Sequence, residues 1–237
     1  MNWRLWVYLQ TTPLFWLTAT VGAFLIADYL AQRARRHPLV NPVLISVALV
    51  ALMLKATGTP YRTYFDGAQF VHFLLGPATV ALGVPLYKNF ALMRANVLPM
   101  AAALIVGALV AIVSSVGIAA MFGASREALI SLAPKSVTAG VAMAVSEKLG
   151  GLPPLTAVLV ILTGVIGAVI VTPLMNALRI RDYAARGFAA GLASHGIGTA
   201  RAFAVDPVAG VFAGVAMGLN AVVTPALAPL ILPLIVR

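Results

Sequence analysis

Residues 149–178 read LGGLPPLTAVLVILTGVIGAVIVTPLMNAL, thirty residues without a charge between Lys148 and Arg179. A helix of about 20 apolar residues is enough to cross a ~30 Å hydrocarbon core. The unit of a membrane barrel is an alternating strand of about ten residues, far shorter than this run. The stretch therefore reads as a membrane helix. Five more uncharged runs repeat it. They hold 23 residues (Arg4 to Asp28), 18 (Arg36 to Lys55), 21 (Asp66 to Lys88), 31 (Arg94 to Arg126) and 30 (Asp206 to Arg237). Six hydrophobic segments follow.

The whole composition agrees. Of 237 residues, 62% are hydrophobic and 9% charged, with a mean hydropathy of +1.01. Soluble domains hold about 25% charged residues, so this chain cannot cover a water-facing surface. Sixteen Lys and Arg against six acids give a formal charge of +10. In a membrane protein that excess belongs to cytoplasmic loops and anionic headgroups, or to a small anionic substrate, rather than to nucleic acid. The absence of cysteine removes thiol chemistry and disulfides. Three histidines and six acids without ligand spacing lead us to expect no metal and no cofactor.

Two segments are too short or too polar for ordinary spans. Residues 134–149 run from Pro134 to Gly150-Gly151, and 187–204 run from Gly187 past His195 and Arg201. Both read as half-helices, re-entrant segments or cavity-lining spans. The basic clusters Arg33/Arg35/Arg36, Lys88/Arg94 and Arg179/Arg181/Arg186 mark the cytoplasmic loops. The first span, at 13–31, then runs inward from an outside N-terminus. It is retained, because no basic cluster and small-residue cleavage site precede it. Spans near 39–56 and 69–87 return the chain to Lys88, and spans near 97–122 and 153–177 return it to Arg179. That count closes only if 134–149 does not cross. Whether 187–204 crosses is left open, and with it the side of the C-terminus.

The fold expected is all-α and polytopic, with about seven or eight membrane segments, some discontinuous. We expect a single membrane domain over 1–237: N-terminal spans to 68, a motif-bearing core over 69–205 and a final span over 206–237.

Two stretches share the pattern Leu-x-Pro-x-Ser/Thr-Val-x-x-Gly-Val: residues 75–84 around Pro77 and Thr79, and residues 132–141 around Pro134, Ser136 and Thr138. They read either as an internal repeat or as a chance match of apolar, Gly- and Pro-rich sequence. As a repeat, each proline opens a helix inside the membrane, where it suits the first position. Helix N-termini carry free N–H groups and about half a positive charge, a ready anion site. Lys135 falls in the first turn after Pro134. It is either a cation facing a cavity, where a bound anion relieves its burial, or a loop lysine at the interface.

The second focus is Ser194-His195-Gly196-Ile197-Gly198-Thr199-Ala200-Arg201. Gly196 and Gly198 let the backbone approach a ligand or helix closely, as Gly76 does in the first motif. His195 can exchange a proton near neutral pH, and Arg201 can grip a carboxylate through two bonds. The plainer readings are a packed histidine and an arginine snorkelling to headgroups. Gly210, Gly214 and Gly218 form a small-residue stripe, a helix-packing face within the chain or between copies in a homo-oligomer. Residues 56–67, with Tyr61, Arg62, Tyr64 and Asp66, read as an interfacial loop. Ser194 beside His195 does not by itself make a nucleophile and base, so no enzyme is expected.

Four motifs in order carry a family resemblance. They are Leu74-Leu75-Gly76-Pro77-Ala78-Thr79-Val80-Ala81-Leu82 with Pro85-Leu86-Tyr87-Lys88, then Pro134-Lys135-Ser136-Val137-Thr138. Gly150-Gly151-Leu152-Pro153 with Thr156-Ala157-Val158 follows, and the last is 194–201. The chain resembles the LrgB/CidB family of bacterial membrane proteins, which includes YohK-type members. The C-terminal part of the plastid glycolate/glycerate translocator is similar. The resemblance implies a multi-pass inner-membrane protein carrying small carboxylates such as glycolate, glycerate or pyruvate-like acids. It implies a small LrgA/CidA-like membrane partner, and a role in murein hydrolase export and autolysis with an antiholin- or holin-like label. It coincides with substrate-binding candidates Pro77, Thr79, Lys135, Ser136, Thr138, His195, Thr199 and Arg201. Family members often carry Pro at the place of Gly140 and acids near Ala144 and Ala209, so coupling to protons through those acids is in question here.

Overall fold

The computed structural model describes residues 12–37, 40–74, 77, 80–81 and 83–236. Every regular element among them is a helix. The chain divides into two compact units, Met1–Val84 and Pro85–Arg237. The boundary falls within the 69–205 stretch expected to be one core.

In the first unit, α1 (Pro13–Arg33), α2 (Pro42–Thr57) and α3 (Tyr61–Phe73) pack together. Asn41 caps α2, its side-chain oxygen accepting the N–H groups of Val43 at 2.9 Å and Leu44 at 3.2 Å. Gly58, at φ +65°, ends that helix in the left-handed region open to glycine. Trp16 is fully buried, edge-on to Tyr64, and Gly67 has no room for a Cβ against the Pro13 carbonyl. Residues 61–67 are thus helix, where an interfacial loop was expected. The aromatic residues that suggested an interface are what lock α3 to α1. Of the first repeated motif, Leu75, Gly76, Ala78, Thr79 and Leu82 lie outside the described residues. Pro77 is helical and exposed.

Short helices α4 (Gly83–Lys88) and α5 (Phe90–Ala95) precede the second unit's first long helix, α6 (Val97–Met121). The rest are α7 (Arg126–Leu132), α8 (Ala139–Leu149), α9 (Pro153–Ala177), α10 (Tyr183–Val205) and α11 (Pro207–Ile235). Among the described residues, four helices are long and apolar enough to cross a membrane: α1, α6, α9 and α11. At about 1.5 Å per residue, the 25 residues of α6 and of α9 exceed the hydrocarbon core. Their burial pattern is that of a span. On α6 a stripe at every fourth residue is buried (Met100, Leu104, Ala108, Ile112, Val116), while Ile105, Val106, Val110 and Val113 are exposed. On α9 the stripe is Thr156, Val160, Gly164 and Ala168, with Val158, Ile161, Leu162 and Ile166 outside. Apolar side chains that nothing covers face lipid.

The segment between α7 and α9 goes into the membrane and comes back. The Ser131 hydroxyl accepts the N–H of Leu152 at 2.7 Å, and Gly151 packs against Ser146, Ile130 and Ser131. A segment whose two ends meet has no room to cross. Between them Val137 reaches about two turns into α9, clustering with Val160 and Ala142. Helix α8 then returns antiparallel to α9, with the Thr156 hydroxyl donating to Ser146 at 2.7 Å. Pro134 does not begin a helix, as expected from its motif, but stands in turns that follow α7. The Lys135 N–H bonds the Leu132 carbonyl, and the Val137 N–H bonds that of Pro134. A proline just past a helix end is a stop as often as one just inside is a start, and here α8 starts only after Thr138.

Helix α10 behaves alike from the other end. It is broken at Ser194 (φ −133°, ψ 18°) and His195 (φ 42°, ψ −137°). Along the first arm Gly187 presses on the Ala209 carbonyl and Gly191 on that of Ala213. Along the second arm Thr199 reaches Met217 and Phe203 covers Gly210, so the order on α11 reverses. A Cβ at Gly198 would stand 2.6 Å from the Ala190 carbonyl oxygen. In a straight helix eight residues are separated by about 12 Å, so the second arm folds back on the first. Tyr183 and Val205 line one cleft at its base. The 183–205 segment is a second re-entrant hairpin and does not cross.

The polarity is consistent throughout. Met100 and Leu104 of α6 pack with Phe188, Leu192 and Phe212. Ile112 and Val116 pack with Leu129, Val145, Ile231 and Leu232. Helices α6 and α11 are therefore parallel and α9 runs against them. Lys88, Arg94, Arg179, Arg181 and Arg186 gather at the first end, which the positive-inside rule makes cytoplasmic. The C-terminus of α11 is at the other end. A long span followed by a re-entrant hairpin occurs twice, in opposite directions: α6 with α7–α8, then α9 with α10.

Candidate functional site

The two hairpins meet at Val160. Its side chain packs against Val137 of the first tip, and its carbonyl lies 2.9 Å from His195 Nε2 at the second. One turn along α9, Gly164 makes room for the imidazole, since a Cβ there would stand 2.7 Å from the ring. Gly167 likewise faces the Ser194 hydroxyl. Small residues on α9 thus admit the second tip at mid-span. His195 is buried and holds a positive φ, which is costly for a residue other than glycine. Its ring bond to Val160 and the packing on Gly164 maintain that conformation.

Breaking a helix strands backbone groups. Asn220, buried in the apolar α11, donates to the Leu192 carbonyl at 3.0 Å, and Thr224 donates to Asn220 Oδ1 at 2.8 Å. The Thr199 hydroxyl bonds the His195 carbonyl at 2.8 Å. At the first tip, Thr138 occupies the position before α8 without a side-chain cap bond. The first N–H groups of α8 are then left for an acceptor arriving at the tip. Ser136 is buried, and Lys135, half-buried, donates to its hydroxyl at 3.4 Å.

Lys135, Ser136 and Thr138 therefore share one tip and His195, Thr199, Gly196 and Gly198 the other, with Val160 between. Lys135 is a tip-loop residue, three before the end of that loop, and not part of a helix's first turn. Arg201 stands apart, down the second arm, with a 3.5 Å bond to Thr172 near the cytoplasmic end of α9. Pro77 belongs to the first unit, and Gly76 and Thr79 lie outside the described residues. Gly214 and Gly218 have open space where a Cβ would be. The close approach on α11 uses Ala209 and Ala213 against Gly187 and Gly191 instead. Ser194 and His195 address Gly167 and Gly164 separately, with no hydrogen bond between their side chains. No cluster of three or more metal-ligating side chains occurs among the described residues.

Sequence reasoning missed Gly164, Gly167, Asn220 and Thr224. An asparagine inside a uniformly apolar span was the available signal.

Comparison with known proteins places the chain in a family. The LrgB-like family profile matches residues 20–234. The uncharacterized protein YwbG of Bacillus subtilis (strain 168) is 37% identical over 216 residues, 91% of this chain and 96% of its own length. Holin-like protein CidB of Staphylococcus aureus (strain N315) is 32% identical over 219 residues, 92% and 95% of the two chains. That of Staphylococcus epidermidis (strain ATCC 12228 / FDA PCI 1200) is 30% identical over 228 residues, 95% and 97%. No solved structure matches significantly. With four membrane-length helices and relatives aligned almost end to end, the chain is a multi-pass bacterial membrane protein and belongs to the LrgB-like family.

Proposed function

We propose that this protein is a carrier for small organic anions, of the glycolate, glycerate or pyruvate-like class, and not an enzyme. The observation that supports this is the meeting of two oppositely entering hairpin tips on Val160. Discontinuous helices at mid-membrane suit ion and substrate sites, because their ends carry free backbone groups inside a low-dielectric medium. The uncapped start of α8 and the hydroxyls of Ser136 and Thr138 accept the carboxylate. Lys135 supplies charge, and His195 and Thr199 close the other side. Each hairpin shields the site from one face, so moving one at a time gives alternating access, with protons as the natural coupling ion for a site holding a histidine.

The test is uptake of labelled glycolate into proteoliposomes, with and without a pH gradient, beside leakage of a neutral dye. Saturable uptake without dye leakage, reduced at least about tenfold by Lys135→Ala in folded protein, supports the carrier. The loss of one charge-assisted contact is of that order. Uptake unchanged in Lys135→Ala and His195→Ala would remove the tips from the site.

A second reading follows from the relatives named holin-like. Here the chain assembles, with a small LrgA/CidA-like partner or with copies of itself, into a membrane component governing murein hydrolase release. It predicts dye leakage that depends on assembly. Carboxylate export could also alter cell-wall physiology, so a lysis phenotype alone does not separate the two.

A further inference from the structure

We infer that His195 Nδ1 is the proton-binding atom of the carrier, taking up one proton with each carboxylate that binds at the tips. This rests on the carrier reading and names the atom that couples it. Nε2 of the ring lies 2.9 Å from the Val160 carbonyl. A carbonyl oxygen accepts and never donates, so Nε2 carries the hydrogen and the neutral ring keeps its lone pair on Nδ1. Among the described residues Nδ1 has no hydrogen-bond partner, and it is not sealed from solvent.

The elements packed around the ring offer no rival. Helices α6, α9 and α11 contain no titratable side chain. The second unit has four acids, Glu127, Glu147, Asp182 and Asp206, and all stand at hairpin bases. Glu127 and Glu147 flank the closure of Ser131 on Leu152. Asp182 and Asp206 each use a carboxylate oxygen as a helix cap, accepting from Ala184 at 2.7 Å and Val208 at 2.8 Å. On α10 itself the other titratable groups are Tyr183, Arg186 and Arg201, toward the base. Lys135 is the charged side chain of the first tip, and its ammonium only donates. A bare Nδ1 meets a carboxylate oxygen lone pair to lone pair. Once it takes a proton from water on the open side, Nδ1–H becomes a charge-assisted donor to the anion. When the tips open to the other side, anion and proton leave together and the ring is neutral again. One negative charge and one proton cross per cycle, so the transport is electroneutral.

The experiment begins with nitrogen-15 NMR of the full chain in bilayers, labelled at histidine. His37→Gln and His72→Gln leave His195 as the single imidazole. Without substrate the neutral ring should show hydrogen on Nε2 and a bare Nδ1. Saturating glycolate at constant pH should convert it to imidazolium, with about one proton taken up per anion bound. In proteoliposomes an acid-outside gradient should raise glycolate uptake, and a potassium diffusion potential of either sign should not. His195→Gln, which keeps an amide donor for Val160, should lose the response to the gradient. A neutral ring with its hydrogen on Nδ1 overturns the inference. So does saturable uptake with the ring still neutral, or gradient-driven uptake that survives in His195→Gln. Absence of saturable uptake in the wild type fails the carrier reading itself, and this inference with it. The other failures leave that reading standing, so the two are distinguishable.

Discussion

Val160 carries two contacts at once, a side chain against one tip and a carbonyl toward the imidazole of the other, and its neighbours Gly164 and Gly167 admit the second tip. A methyl at Gly164 would overlap the His195 ring. Gly164→Ala should cost about 1–3 kcal/mol by overpacking and depress glycolate uptake. Gly117→Ala, where a Cβ meets nothing within 4 Å, should do neither. Equal melting temperatures for the two variants would contradict the packing described. Asn220 answers a different need, a carbonyl stranded by the helix break. Asn220→Ala leaves the Leu192 carbonyl buried without its donor and should destabilise by about 1–3 kcal/mol. Half-buried Asn96→Ala, which loses a bond only to the Leu92 carbonyl one turn back, should cost less in the same thermal scan.

At the scale of elements, the hairpins make a topological claim. The natural chain lacks cysteine, so single cysteines report cleanly. Arg126→Cys and Lys148→Cys should react with a membrane-impermeant maleimide from one face, and Arg181→Cys from the other. Labelling of 126 and 148 from opposite faces would mean that α7–α8 crosses. The α10–α11 seam makes a packing claim. Gly187→Ala and Gly191→Ala drive a methyl into the backbone of α11 and should unfold the hairpin, read as lost thermal stability. Gly214→Ala should leave the monomer's stability unchanged. A changed oligomer size for Gly214→Ala would assign that stripe to contact between copies.

For the second unit as a whole, neither hairpin crosses, so α11 carries the chain from the basic end to the opposite one. A reporter fused after Arg237 that is active only outside the cytoplasm should be active. Activity of a cytoplasm-only reporter there would invert the arrangement or make α10 a span.

Much of this was legible in the residues. Uncharged runs of about thirty residues place α6, α9 and α11 within a few positions, because hydrocarbon thickness sets span length and charges stop at its edges. The positive-inside count already favoured a 134–149 segment that does not cross. Single residues were readable where chemistry is rare in lipid: Lys135 and His195 stand out because a polar group there needs a reason. One local signal misled: Pro134 fits a helix start and a helix stop equally. The Gly210/Gly214/Gly218 stripe divides, with Gly210 against Phe203 while Gly214 and Gly218 have open space beside them in the chain.

Tertiary structure alone decided the rest. Whether α10 continues or folds back depends on the backbone at Ser194–His195, which Gly164, Gly167 and Asn220 hold from other helices. No local propensity records that support. The meeting at Val160 of the tip that carries Lys135 with the tip that carries His195, and the placing of Arg201 down the second arm, likewise come from contacts between residues tens of positions apart. A sequence states which groups cannot face lipid. Only the packing of distant segments determines which of those groups face one another.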